Sequence, residues 1–221
     1  MDKHKLIRLF QILLLLILVI NSNYFGQSGK PTFEDGVIHL SNLISEQRFS
    51  SSEISDINQI DSLYKYAVNY YQGDISEALL ALTFATIPFN RMPIKLPIFN
   101  VRIPLRLPSV DDNLFSIKRK NLPGIVYFDS PLKGGQDKDK VAHFYGNAFL
   151  AYNVSFFNAS KFLGMIVEMF ESTFKVSGGI DFRDLQTNHL GEFFGHSLRK
   201  DTNLKPSDFF NVYSLFYFSY N

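Results

Sequence analysis

Ionisable and amide side chains recur at helical spacing within the apolar last third of this chain. Asp139, His143 and Asn147 follow one another at four-residue intervals, which places them on one face of a helix. Glu168 and Asp184 are further carboxylates in apolar surroundings. Because an unpaired carboxylate or imidazole is costly to bury, such groups normally meet each other, a metal or a ligand. We therefore predict a functional site within residues 137–199.

The residue types in this region suit two kinds of site. His143, Glu168 and Asp184 are the candidate catalytic residues, as general acid and base, and the same three are the candidate ligands of a divalent metal. One imidazole with two carboxylates matches a catalytic zinc site, and oxygen-rich ligation would suit magnesium or manganese. The alternative is a buried polar network that fixes helix register and ignores metals. Its further members would be Asp139, Lys140, Asn147, Glu171, Asn188, Gly191 and Gly195.

An ordinary structural interpretation stays open for several of these residues. Asp139 lies near a predicted helix N-terminus, where the macrodipole favours a carboxylate, and His143 would then be a satisfied core histidine. Glu168 and Glu171 would belong to the exposed stripe of an amphipathic helix. Asp181 is predicted to be the N-cap of the helix that follows it. Under this interpretation the residues have no catalytic or ligand-binding role.

A second set of ionisable residues, His189, Glu192 and His196, lies on one face of a predicted helix. Such a set could bind a metal. It lacks the adjacent His-Glu pair of a zincin helix, however, and a solvated helix face is the favoured interpretation.

Four C-terminal helices are predicted to position the candidate residues. They span about 138–157, 160–175, 181–199 and 207–219, and Ser207 is the expected N-cap of the last one. Its Phe- and Tyr-rich sequence is apolar around most of the helix, so it must be buried in the domain or in another structure.

Two glycines support close packing of the third of these helices. Gly191 and Gly195 lie seven and eleven residues after Asp184, and small residues at this spacing let another helix approach closely.

The N-terminal half is predicted to contain fewer functional residues. Residues 28–57 are polar and Ser-rich and are interpreted as a loosely packed lead-in, with a possible short helix over 37–45. Residues 61–87 predict two helices, the second opened by Asp74 or Ser76.

Between the two halves lies a basic segment that contains five prolines, over residues 88–108, and proline there excludes a helix. It is expected to be an extended ribbon, either a strap over the helices or a contact for anionic lipid headgroups. A polar stretch, 111–120, follows it. The basic residues of the ribbon are Arg91, Lys95, Arg102 and Arg106.

Residues 1–27 are typical of a targeting segment. Three basic residues precede the apolar run 12–20, and residues 21–27 form a polar exit, so a secretory signal peptide is expected, with an uncleaved membrane anchor as the alternative. The absence of cysteine excludes a lipid-anchoring cysteine and any disulfide. The 22 basic and 21 acidic residues leave a net charge of +1, which argues against nucleic-acid binding.

The motifs of the last third resemble those of the VanZ-like proteins and the YfiM-type lipoproteins. The residues on which this resemblance rests are Asp139-Lys140-x-x-His143-Phe144, a mid-helix Glu168, and Asp184-x-x-x-Asn188-x-x-Gly191-x-x-x-Gly195. The resemblance covers about residues 137–199 and implies a small helical module in or at a membrane, without a settled biochemical activity. None of the predicted helices offers about 18 clean apolar residues, so the chain is closer to the exported, non-spanning relatives.

We therefore predict an all-α, small helical bundle, with the proline-rich extended segment before the C-terminal helices. The expected division is 1–27 as signal peptide or anchor, 28–57 as lead-in, 58–136 as N-terminal helices and ribbon, and 137–221 as the VanZ-like module. The predicted function is a structural or binding role at the cell envelope, in the periplasm or on the membrane, with envelope lipid as a partner. The alternative is a metal-dependent hydrolase acting on a lipid or envelope substrate.

Overall fold

The computed structural model describes residues 31–46, 55–95, 102–131, 137–155 and 182–212. Within these ranges the chain forms seven helices and one antiparallel strand pair, and the predicted helical bundle is confirmed. The elements in chain order are α1 (Phe33–Ser45), α2 (Asp56–Tyr70), α3 (Ile75–Thr86), β1 (Arg91–Lys95), β2 (Arg102–Arg106), α4 (Asp112–Asn121), α5 (Lys140–Asn153), α6 (Phe182–Leu198) and α7, described over 206–212.

Several predictions concern residues outside these ranges. They are the targeting segment 1–27, the helix over 160–175 with Glu168 and Glu171, the N-cap role of Asp181, and the part of the last helix beyond residue 212. Among the helices that are described, none is both long enough and apolar enough to cross a membrane.

The possible short helix predicted over 37–45 is confirmed as α1, which begins earlier, at Phe33, and its buried residues show that the expectation of loose packing was wrong for residues 33–45. Thr32 and Asp35 form a capping box at the start of the helix, each side chain bonding the other residue's backbone N–H. Leu40 and Ile44, one turn apart, are fully buried. This apolar stripe makes α1 part of the core.

The two helices predicted over 61–87 are present as α2 and α3, although α2 begins earlier, at Asp56, and α3 lies among the other helices. Asp74 is its N-cap, since its carboxylate accepts a hydrogen bond from Glu77 N at 3.2 Å. Helix α3 contacts α1, α2 and α5, which is why it is apolar on most of its sides.

Helix α4 was missed, because residues 111–120 had been interpreted only as a polar stretch. Asp111 caps it by accepting hydrogen bonds from Asn113 N and Leu114 N, at 3.0 and 3.1 Å. Only Phe115 and Lys118 of this helix are buried, so its apolar periodicity is weak. Its capping residue and the basic last turn were the available signals.

The backbone of the proline-rich segment pairs β1 with β2, and Pro93 lies opposite Pro104. Leu107 N donates to Asn90 O just beyond the strands. Because hydrogen-bonded and non-hydrogen-bonded pairs alternate along an antiparallel ladder, the two prolines fall on a non-hydrogen-bonded pair. That is the position where a missing N–H costs nothing.

Helices α5 and α6 approach closely at two glycines. A Cβ atom on Gly191 would lie 2.2 Å from the carbonyl oxygen of Phe144, and one on Gly195 would lie 2.2 Å from that of Ala148. Both obstacles are backbone atoms and cannot turn aside. The predicted glycine stripe therefore packs against α5.

The start of α7 differs from the prediction that Ser207 is its N-cap. The helix begins at Pro206, whose missing N–H suits a first helical position. Ser207 instead donates from its N–H and its hydroxyl to the carboxylate of Asp61, at 2.8 and 2.6 Å. These bonds attach α7 to α2.

One hydrophobic core joins the two halves of the chain. The ring of Phe144 in α5 contacts Phe194 of α6 and Phe210 of α7, with 5.2 and 4.8 Å between ring centres. Residues of α1, α2 and α3 belong to the same core. The predicted boundary between 58–136 and 137–221 therefore does not separate two cores.

Candidate functional site

The polar residues of α5 and α6 meet where the two helices pack. Asp139 and His143 lie one turn apart on α5, and Asp184 and Asn188 lie one turn apart on α6. The close approach at Gly191, three residues after Asn188, brings the two polar faces within hydrogen-bond distance. We call these four residues, with Lys140 and Asn147, the polar cluster.

On the inner side of the polar cluster, hydrogen bonds converge on the Asn188 side chain. Its Oδ1 accepts from Asn147 Nδ2 at 2.7 Å and lies 3.2 Å from His143 Nδ1. Asn147 Nδ2 also donates to the carbonyl oxygen of His143, at 2.8 Å. Both asparagines are buried, so these bonds satisfy groups that water does not reach.

This arrangement determines which nitrogen of His143 carries a proton. Asn147 Nδ2 bonds a backbone carbonyl and must be a donor, so the amide oxygen of Asn188 is the acceptor in both of its contacts. His143 Nδ1 is therefore the protonated nitrogen. In the neutral imidazole, Nε2 then carries the free lone pair and faces the outer side of the cluster, 3.7 Å from Asp184 Oδ1.

Lys140 supplies a buried positive charge between the two carboxylates. Its Nζ lies 2.6 Å from Asp184 Oδ1 and 3.2 and 3.5 Å from the oxygens of Asp139. The lysine side chain is only 3% exposed. A lysine so deeply buried needs nearby negative charge, and the two aspartates provide it.

The outer side of the polar cluster is open to solvent. The side chains of Asp139 and His143 are 38% and 39% exposed, and that of Asp184 is 26% exposed. Asp139 occupies the N-cap position of α5, but its side chain makes no capping hydrogen bond. Its carboxylate is turned toward Lys140 and the rest of the cluster.

Three ligand-type atoms converge on that open side. Asp139, His143 and Asp184 each offer one atom, and these atoms lie within 4.8 Å of one another. Among the described residues they form the one group of three that could hold a metal ion. Glu168, the third ligand in the sequence-based prediction, lies outside the described ranges, and Asp139 was predicted only for the polar network.

Sequence reasoning missed a second polar group, which secures the segment before α5. Arg183 Nη1 lies 2.8 Å from Asp137 Oδ2, and its Nη2 lies 3.2 Å from Asp129 Oδ2. Ser130 Oγ also donates to Asp137 Oδ2, at 2.5 Å. These contacts hold the start of α5 against the first turn of α6. No spacing rule joins residues so far apart in sequence.

The His189, Glu192 and His196 set forms a paired row along α6. His189 Nδ1 and His196 Nε2 lie 3.4 and 3.9 Å from different oxygens of Glu192. The glutamate side chain is 13% exposed, so this is not the fully solvated face that was expected.

Comparison of the chain with protein-family models, curated proteins and solved structures found no match. The likeness to the VanZ-like and YfiM-type proteins therefore rests on the motif residues and stays a prediction.

Proposed function

We propose that this chain is an exported, membrane-associated helical protein of the cell envelope, of the VanZ-like or YfiM type. In this proposal the polar cluster has both a structural and a binding role. The observation that carries it is the two-sided character of the cluster. Its inner side joins α5 to α6 by buried hydrogen bonds, and its outer side leaves ionisable groups open to solvent.

The structural role is supported by the dependence of the inner bonds on helix register. Asn188 can meet both His143 and Asn147 only when α5 and α6 pack as they do at Gly191. Sliding one helix would leave buried donors without acceptors, at a cost of about 1–3 kcal/mol each. The cluster thus disfavours other registers.

The binding role is supported by the outer side. In a purely structural network, every polar atom would be expected to form a hydrogen bond. Here His143 Nε2 and Asp184 Oδ1 face each other at 3.7 Å without a hydrogen bond between them, and the His143 side chain is 39% exposed. A ligand with positive charge or hydrogen-bond donors fits this edge.

Membrane association is supported by the targeting segment 1–27 and by the basic ribbon. The exposed side chains of Arg91 and Arg106 both lie near Asp112, at 3.5 and 3.8 Å. The ribbon 88–108 itself contains four basic residues and no acidic residue, a composition that favours contact with anionic headgroups.

The alternative function is a metal-dependent hydrolase acting on a lipid or envelope substrate. The convergence of Asp139, His143 and Asp184 favours it, because two carboxylates and an imidazole are ligands of hydrolytic metal sites. Release of fatty acid or headgroup from envelope lipids by the metal-treated chain, and not by the EDTA-treated chain, would select this alternative.

Fractionation of bacterial cells that produce the full chain tests the proposed function. We expect the wild type in the membrane fraction, and digestible by added protease only after the outer barrier is opened. A Leu14→Arg/Leu16→Arg variant should stay in the cytoplasm, because charge interrupts the apolar run. The matched control, Leu14→Val/Leu16→Val, keeps the run apolar and should behave as the wild type.

An Asn188→Ala variant in the same experiment tests the structural role. It should reach the same fraction as the wild type but be degraded faster, since it removes the buried oxygen that both His143 Nδ1 and Asn147 Nδ2 contact. Wild-type chain found in the cytoplasm would contradict the envelope location, and an Asn188→Ala chain as stable as the wild type would contradict the structural role.

A further inference from the structure

We infer that the outer side of the polar cluster binds one divalent first-row transition-metal ion. The ligands are the carboxylates of Asp139 and Asp184 and Nε2 of His143, with Asn188 orienting the imidazole. This inference rests on the binding role proposed above and names its ligand.

The protonation of His143 on Nδ1 leaves Nε2 able to bind a metal ion. Its Nδ1 donates to Asn188 Oδ1, so Nε2 presents a lone pair toward Asp184 Oδ1 at 3.7 Å. Two electron-rich atoms that face each other at this distance repel unless a proton or a cation lies between them. A metal-bound histidine characteristically donates its other N–H to an amide or carboxylate oxygen, as His143 does here.

The carboxylates of Asp184 and Asp139 can supply the other two ligand atoms. Asp184 Oδ1 is buried from water and lies 2.6 Å from Lys140 Nζ and 3.7 Å from His143 Nε2, whereas the Asp184 side chain as a whole is 26% exposed. Asp139 stands at an N-cap position without capping the helix. Because a carboxylate has about four lone-pair sites, the contacts to Lys140 leave both part-exposed carboxylates with coordinating capacity.

The balance of charge favours a cation over an anion. With His143 neutral, the two aspartates and Lys140 together carry one negative charge. Lys140 neutralises part of the field and lowers the affinity for a metal, but it does not reverse the sign. An anionic ligand would meet net repulsion, whereas a divalent cation is attracted.

The spacing of the donors fits an ion after small side-chain rotations. At ligand distances of about 2.0–2.1 Å, two ligands of a tetrahedral ion lie about 3.3 Å apart. The His143 Nε2 to Asp184 Oδ1 distance of 3.7 Å is near this value, and all three ligand atoms lie within 4.8 Å of one another. Asp139 and His143 are part-exposed, so the ion can enter from solvent.

The mixture of donors narrows the choice of ion. Imidazole with carboxylate suits zinc and its neighbours in the first transition row, whereas magnesium prefers oxygen ligands and keeps its waters. Three protein ligands leave at least one coordination position for water or substrate, which is the pattern of catalytic and not of structural sites.

Titration of the full chain with Co²⁺ and Zn²⁺ tests this inference. The chain is purified in neutral detergent without a histidine tag, stripped with EDTA and dialysed. Isothermal titration and the visible absorption of bound Co²⁺ then report binding, with Mg²⁺ as the comparison ion. We expect one ion of Co²⁺ or Zn²⁺ per chain and much weaker binding of Mg²⁺.

Variants assign the ligands. His143→Ala and Asp139→Asn should each weaken Co²⁺ binding by about tenfold or more. His189→Ala is the matched control, because His189 is also a part-exposed histidine beside a carboxylate, at 3.4 Å from Glu192, and it should bind as the wild type. Asp139→Asn removes only a contact to Lys140 at the cluster edge, so the test does not depend on His143→Ala remaining folded.

Two results would overturn the ion site: no Co²⁺ or Zn²⁺ binding by the wild type, or equal binding by the wild type and Asp139→Asn. None of these variants alters residues 1–27, so the membrane location of the same chains is measured separately. If the chain reaches the membrane but does not bind metal, only the inferred ion site is refuted. A wild-type chain that stays in the cytoplasm contradicts the proposed function instead.

Discussion

Two buried lysines differ in how their charge is neutralised. Lys140 lies between the carboxylates of Asp139 and Asp184. Lys118, at 1% exposure, donates to the carbonyl oxygen of Ile87 at 3.1 Å and lies over the ring of Phe115 at 4.6 Å. Burial lowers the pKa of Lys118 from 10.5 to about 8. The first lysine belongs to the polar cluster, whereas the second makes stability depend on pH.

The sign of that dependence follows from proton binding. Between the folded pKa of Lys118, about 8, and its unfolded value of 10.5, the unfolded chain holds a proton that the folded chain has lost. The unfolded state then binds more protons, so the free energy of unfolding rises with pH over this interval. Below about pH 8 both states are protonated, and the full penalty of burying the charge remains.

We predict that Lys118→Met removes this rise and stabilises the protein at pH 7 by up to about 3 kcal/mol. The measurement is urea unfolding at several pH values between 7 and 9.5. The control is Lys65→Met on the exposed face of α2, which should keep the wild-type slope. Equal slopes in the wild type and Lys118→Met would contradict the prediction.

At the scale of elements, the packing of α5 on α6 decides whether the polar cluster exists. Gly191 and Gly195 set the distance between the helices, and the hydrogen bonds of Asn188 follow from it. The sequence predicted that these glycines admit a close neighbour, but it did not identify α5 as that neighbour. A glycine stripe shows how near a helix can come, and the pairing itself depends on the rest of the core.

We predict that Gly191→Ala destabilises the protein by about 1–3 kcal/mol or more, because the new methyl group would meet the carbonyl of Phe144. Alanine is the better helix former by about 1 kcal/mol, so the loss occurs against an intrinsic gain. Gly146→Ala is the matched control, since its Cβ would lie 3.3 Å from a side-chain methyl of Thr83, which can move.

Thermal and urea unfolding of both variants measure the difference. Gly146→Ala should change the free energy of unfolding by less than about 1 kcal/mol. If Gly191→Ala were as stable as Gly146→Ala, the close approach of α5 and α6 would be refuted.

At the scale of the whole molecule, the sequence predicted those features that depend on local signals. The start of α3 at Asp74 and the approximate positions of α5 and α6 follow from caps, glycines and apolar spacing. Helix α4 was missed because little of it is buried. The N-cap predicted at Ser207 was wrong because Asp61, far away in sequence, binds that residue.

The same distinction applies to the candidate site. Four-residue spacing placed Asp139, His143 and Asn147 on one face, which the structure bears out. The position of Lys140 between two carboxylates and the salt bridge from Arg183 to Asp137 depend on which helices meet. Such contacts join distant parts of the chain, and no periodicity within one helix encodes them.

The most direct test of the proposed polar cluster is to measure which nitrogen of the His143 ring carries the proton. This protonation links the inner hydrogen bonds of the cluster to its open side. Nitrogen-15 NMR of the full chain with labelled histidine, assigned by comparison with His143→Ala, distinguishes the two neutral tautomers. For the neutral ring we predict a proton on Nδ1 and a bare Nε2, and a shift of the Nε2 signal when Zn²⁺ is added. A proton on Nε2, with Nδ1 bare, would contradict this prediction.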